Sequence, residues 1–218
     1  MAEQIEVFRD MKLNGPIANK AELRAALIEA ALSPWRFDAE RSGEVVGKAV
    51  TSDDVLLFRC EASDGFPAVG LTLWEIDDGY YVPNIVPLEM GDLTYKQYNA
   101  ALADFIARIV EPVAQKFDFV VSATNSSQSL EDWVSSDTAV KLRRFSGVAN
   151  KSTGASHSMD ERRWFDFVVT AYRANDKLDP SQLARWLSEA EGWDEDTAHK
   201  LAGDFENSLA LLMYYENS

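Results

Sequence analysis

The residues of this chain whose types and spacing lend themselves to chemistry lie together between positions 141 and 163. Lys141, Arg143 and Arg144 precede the stretch NKSTGASHSMDERRWF (150–165). That stretch adds Lys151, Arg162 and Arg163, the hydroxyls of Ser152 and Thr153, and His157, one of two histidines in the 218 residues. Two acids, Asp160 and Glu161, stand against six cations, so the segment sums to plus four inside a chain of net charge -15, and the remainder sums to minus nineteen. Cations converging beside free backbone N–H groups at a helix N-terminus form a site for an anion. The ligand would be a phosphate, a small-molecule carboxylate or an acidic side chain. The competing use of the same cations is internal, because Glu131, Asp132 and Asp137 are near enough in sequence to pair with them.

A helix start presents these groups. Ser158 reads as its N-cap, and Glu161 three residues later completes a capping box. At two other boxes, Thr94/Gln97 and Asp179/Gln182, the flanking pairs Leu93/Tyr98 and Leu178/Leu183 supply a hydrophobic staple; here those places fall to His157 and Arg162. A polar loop without a clamp, delivered onto a buried helix, is a usual way to display functional side chains. The KSTG sequence does not make a phosphate-binding P-loop, since Gly154 follows the Lys-Ser-Thr instead of preceding it and no strand-and-glycine pattern leads into it.

Other chemistry finds less support. Two histidines, His157 and His199, and one cysteine do not build a usual zinc site, and neither H-x-x-x-H, C-x-x-C nor G-x-S-x-G occurs. Neither a metal nor a cofactor is expected. Cys60, within LLFRCEA, reads as a thiol packed as a small hydrophobe on a strand, with Arg59 on the opposite face. The acidic groups Asp53-Asp54, Asp77-Asp78 and Asp194 to Asp196 sit where turns and helix N-termini favour carboxylates. Most tryptophans fall at core spacing, whereas Tyr214 and Tyr215 are expected to be exposed as a small association surface.

The elements that must position these residues follow from periodicity. QIEVF opens as a short strand, and IANKAELRAALIEAAL places Ile17, Leu23, Leu27, Ile28 and Leu32 on one helical stripe ending before Pro34. DDVLLFRCEA, PAVGLTLWEI and YYVPNIVPL alternate as strands, with turns at Gly65 and at 77–79, and Pro83 and Pro87 make the third an edge or bulged strand. From Thr94 the period becomes helical through Tyr98, Leu102, Phe105, Ile109 and Val113, with a kink or interruption expected at Pro112. DFVVSA is a last short strand, and TNSSQS (124–129) is the most linker-like stretch. Helices fill the rest. MDERRWFDFVVTAYRA, apolar on most of its surface, is expected to be their central buried member. The fold class is α+β: a mainly antiparallel sheet packed by helices over 1–123, then a helical subdomain over 128–218, the two separate or continuous as one domain.

Hydrophobic content of 46% and 26% charged residues are globular values. A pI near 4.5 disfavours nucleic acid and anionic membrane, and suits a basic protein partner. No signal-peptide pattern or membrane-length apolar run occurs, so a cytoplasmic location is expected. The segments YVPNIVPLE, LTYKQYNAALADF and ANKSTGASHSMDERRWFDF resemble a family of uncharacterised bacterial proteins over most of residues 80–218. The resemblance implies a bacterial origin and carries no activity. The functional expectation is a non-enzymatic binding or accessory protein, of immunity or antitoxin kind, acting on a basic partner. The alternative is an enzyme acting on a phosphorylated or carboxylated small molecule at the 151–163 loop.

Overall fold

The computed structural model describes residues 3–48 and 54–218, which divide into two compact units: Val7–Ser126, and a helical unit made of the first residues with Ser127–Ser218. Asp53, read with Asp54 as a turn carboxylate, lies outside the described residues. Strand β1 (Ile5–Glu6) pairs antiparallel with β9 (Ser127–Gln128), so the opening strand belongs to the helical unit, and a two-residue strand lies within the stretch that reads as a linker.

In the sheet unit the elements run β2 (Met11–Asn14), α1 (Lys20–Ala30), β3 (Trp35–Phe37), α2 (Ala39–Lys48), β4 (Val55–Cys60), β5 (Val69–Ile76), β6 (Gly79–Tyr81), β7 (Ile85–Pro87), α3 (Tyr95–Phe105), α4 (Glu111–Ala114) and β8 (Val120–Ala123). Among the described residues the strand order is β3-β4-β5-β6-β2-β8. Strand β7 pairs with β5 beyond the end of β6, and every pairing is antiparallel. Alternation decides which side chains enter the core: Leu56, Phe58 and Cys60 of β4 and Val69, Leu71 and Leu73 of β5 are buried. They meet Leu23 and Leu27 of α1 and Tyr98, Leu102 and Phe105 of α3. Each such large side chain contributes roughly 1.5–3 kcal/mol by leaving water. Cys60 lies in this core, and burial, aided by the Asp104 carboxylate, pushes its thiol up to about 11.

Several expectations need correction. The third strand is split into β6 and β7, because Pro83 lacks an N–H and the chain leaves the ladder between them. Gly79 opens β6 where a Cβ would come within 1.7 Å of the Leu13 carbonyl oxygen, so only glycine lets β2 and β6 approach. Strands β2 and β3 and helix α2 are additional to the expected elements. The stripe assigned to the first helix is too long: Ile17 and Leu32 are exposed and lie outside α1. At Pro112 the expected interruption takes the form of a change of helix type. A π-helical turn over Ile106–Val110 joins α3 to α4, and Glu111 N–H bonds to Ile106 O, which widens the helix just where proline can neither donate nor clear the preceding carbonyls.

The helical unit contains α5 (Ser136–Ser146), α6 (Ser158–Ala174), α7 (Pro180–Arg185), extended by a π-helical turn over Trp186–Ala190, and α8 (Glu195–Glu216). The Asp179/Gln182 box and the Asp194 cap stand as expected. The core stacks Phe145 on Trp193 at 5.3 Å and Phe167 on Phe205 at 5.4 Å, with Trp164 between Phe145 and Phe167. Helix α6 is not buried all round, since Trp164, Phe167, Val168 and Ala171 turn inward while Phe165 stays 51% exposed.

Candidate functional site

The loop joining α5 to α6 is built around Asn150. Its carbonyl accepts from Thr153 and Gly154 N–H, and its side chain accepts from Ser152 N–H and Oγ. Gly154 has φ +67°, a left-handed conformation that suits glycine, and packs beside Thr197 and Leu201 of α8. Thr197 Oγ1 donates to Ser152 O at 3.5 Å. The loop is thereby laid on α8 before it turns into α6.

The cap of α6 is His157 and not Ser158. The His157 carbonyl already accepts from Asp160 and Glu161 N–H, its Nδ1 accepts from Met159 N–H at 3.3 Å, and Ser158 is the first helical residue. The Ser158/Glu161 box is therefore absent. In the shifted register Ser156 and Glu161 hold the staple positions, and the helix start still has no hydrophobic clamp.

The six cations do not converge. Arg143 forms a bidentate pair with Glu131 and also lies over the Trp186 ring, 5.9 Å from its centroid. This pairing holds the Glu131 carboxyl below the usual carboxylate range and raises the Arg143 guanidinium. Arg163 pairs with Asp160 at 2.7 Å, one turn back on its own helix. Lys151 donates to the Glu191 carbonyl, and the Glu191 carboxylate accepts from the buried Ser146 hydroxyl, which in turn accepts from Trp193 Nε1–H at 2.7 Å. Arg144 and Arg162 are exposed and form no ion pair among the described residues.

What the structure places beside the loop is a groove of about 440 Å³ between α6 and α8. Trp164 and Leu201, both buried, form its floor, and Phe165 and Leu211 are apolar and exposed beside it. Of the eight candidate ligand residues only Thr153 lines it. Ser152, His157 and Arg162 are exposed outside it, as are Lys151 and Arg144, and Arg143 and Arg163 are held by their acids. Its charged groups are Glu161, Lys200 and Asp204. The sequence signal for this groove was the i, i+3, i+4 spacing of Thr197, Lys200, Leu201, Asp204, Ser208 and Leu211, one continuous face of α8.

A second charged cluster in the sheet unit also escaped the sequence. Lys20 pairs with Glu75 at 2.5 Å and donates to Ile76 O, and Arg24 clasps both oxygens of Asp54. Asp54 N–H donates to Glu75 Oε2 at 2.6 Å, and the buried Tyr80 hydroxyl donates to Asp54 at 3.4 Å. Burial acts to raise the Glu75 carboxyl, but the Lys20 ammonium and the Asp54 N–H outweigh it and hold the group below its usual range. Burial raises Tyr80 strongly, and the Asp54 charge adds to it. These five groups line a recess of about 390 Å³ and satisfy one another, which makes the cluster a staple between α1 and the β5–β6 hairpin.

Among the described residues no group of three His, Cys, Asp or Glu side chains is placed to hold a metal ion, and no helix is long and apolar enough to cross a membrane. Neither the family models, the curated proteins nor the solved structures compared with this chain include a match to it.

Proposed function

We propose that this chain works by binding, as an acidic accessory protein of the bacterial cytosol whose partner is a basic protein, in the manner of an immunity protein or antitoxin. The observation that carries this reading is the fate of its one positive segment. Arg143 and Arg163 are paired with Glu131 and Asp160 and Lys151 is bonded to the Glu191 carbonyl, so the segment forms no converged basic patch to offset the acidic excess of the net charge of -15. Such a surface draws a cationic partner over a Debye length of about 8 Å in physiological salt and repels nucleic acid.

The exposed Arg144 and Arg162 support a second reading, in which the 151–163 loop receives a phosphorylated or carboxylated small molecule as an enzyme substrate. The test is retention of host proteins by the full chain at low and high salt, beside the variant Arg162→Gln/Arg163→Gln. The binding reading expects a basic protein retained at low salt, released at high salt and indifferent to the double variant. Failure to retain any basic protein, together with a small anion whose binding is lost in the double variant, would overturn it in favour of the second.

A further inference from the structure

We infer that the groove between α6 and α8 is the docking site for an amphipathic helix of a basic partner, an assignment that rests on the binding reading above and names its surface. The floor is already formed: Trp164 and Leu201 are buried beneath it, and Phe165 and Leu211 stand 51% and 67% exposed at its sides. Two exposed apolar side chains flanking a groove between packed helices offer what the anchors of a third helix need, side chains at i, i+3, i+4 and i+7 entering one channel. The α8 face that lines the groove continues beyond Leu211 toward Tyr214 and Tyr215, both exposed, so the apolar track runs on along the same helix.

Charge selects the occupant. Glu161 and Asp204 line the groove without an ion-pair partner among the described residues, against the single ammonium of Lys200. Of the five acids on α8 only Asp204 lines the groove, and together with Glu161 it leaves the lining one charge negative. A second copy of the chain would bring the same carboxylates against these, and like charges across an interface oppose association. A helix with lysine or arginine beside its apolar stripe meets opposite charge instead.

The probe is a synthetic helical peptide of about four turns, with leucine on one face and lysine elsewhere, titrated into the full chain while backbone amide shifts are followed. The expected result is a set of shifts confined to residues 153–165 and 197–215, with affinity falling about tenfold or more in Phe165→Ser and in Leu211→Ser, as when an interface anchor is lost. Glu161→Gln/Asp204→Asn should weaken binding and flatten its salt dependence. A peptide with glutamate in place of lysine should not bind. Phe165 and Leu211 are exposed, so both single variants keep the fold, and helical circular dichroism verifies it. Shifts spread over the acidic surface and unchanged in both variants would overturn the groove, as would a host partner retained equally by Phe165→Ser, and either would leave the binding reading standing. A concentration-dependent dimer abolished by Phe165→Ser would replace the basic helix by a second copy and overturn the assignment.

Discussion

The two charged regions of this protein hold their charges in different ways. In the sheet unit, Lys20, Arg24, Asp54, Glu75 and Tyr80 come from a helix, a strand end and a hairpin and form one connected set in which Asp54 and Glu75 each bond to more than one other member. In the helical unit, Arg143, Arg163 and Lys151 each settle on a separate acceptor, and Arg144 and Arg162 face solvent. Partners shared among several groups polarise one another and lose water together, whereas isolated pairs near the surface contribute about 0–1 kcal/mol. The first arrangement therefore holds elements in place, and the second leaves a surface free to meet something else.

The largest break in this contrast is Glu75→Ala, which takes the carboxylate partner from the Lys20 ammonium and the acceptor from the Asp54 N–H at once. It should cost about 2–3 kcal/mol, the usual loss for hydrogen bonds to a charged group. Glu131→Ala removes one exposed pair and should cost less than about 1 kcal/mol. Hydrogen exchange of the β5 and α5 amides reads the two units separately, and equal losses would remove the distinction between network and pair.

Acid sharpens the same difference. The folded pKa of Glu75 is depressed, so its contribution is complete above the unfolded carboxylate value of about 4.3 and disappears as the pH falls through the folded value. Glu131 is depressed as well, by its pair with Arg143, but its side chain is more exposed, 42% against 27%. Protection of the β5 amides, measured from pH 7 to 3 against the intrinsic exchange rate at each pH, should fall steeply below about pH 4.3 in the wild type and more gently in Glu75→Gln. Substituting Glu131 should alter the α5 profile only slightly.

How much of this was legible in advance divides along the same line. The helix caps at Thr94, Asp179 and Asp194 depend on residues three apart, and the sequence displays them directly. Strands β4 and β5 were legible because alternation is local. Strand β2 was not, since Met11 and Leu13 are a minimal alternating pair whose place in the sheet depends on partners around residues 80 and 121. The network was illegible for the same reason: Glu75 and Tyr80 become neighbours only through the β5–β6 register, and α1 must then pack over that end. In the loop the polar, unclamped character of the residues is legible from their types, but adjacency in sequence does not bring the cations together in space. The groove instead comes from one face of α8 some forty residues downstream of Thr153.

The start of α6 offers a smaller effect that tests the one-residue shift. With His157 as cap, aspartate there would supply a better acceptor and an anion at the positive end of the helix, so His157→Asp should raise stability by about 1 kcal/mol. Ser158→Ala should then lie within about 0.5 kcal/mol of wild type, because a first-turn position favours a good helix former over a hydroxyl that caps nothing. The thermal midpoint checks both. A loss near 1 kcal/mol for Ser158→Ala alone would return the cap to Ser158.

The smallest effect isolates a single cation of the loop. Arg162 and Arg163 are adjacent on α6, yet Arg163 is bonded to Asp160 and Arg162 to no acid among the described residues. Glutamine keeps helix propensity close to that of arginine, so Arg162→Gln and Arg163→Gln differ only in the charge pair they remove. Arg163→Gln should lower stability by about 0.2–0.5 kcal/mol, the value of a helix-surface ion pair one turn apart, and Arg162→Gln by less. The gap should close in 1 M salt, where the Debye length falls to about 3 Å. Chemical denaturation with urea, which adds no charge of its own, resolves this best when both variants are run at two salt concentrations. If Arg162→Gln cost as much as Arg163→Gln at low salt, Arg162 would be bound into the fold as firmly as its neighbour, and the loop would hold its cations as the sheet unit holds Lys20 and Arg24.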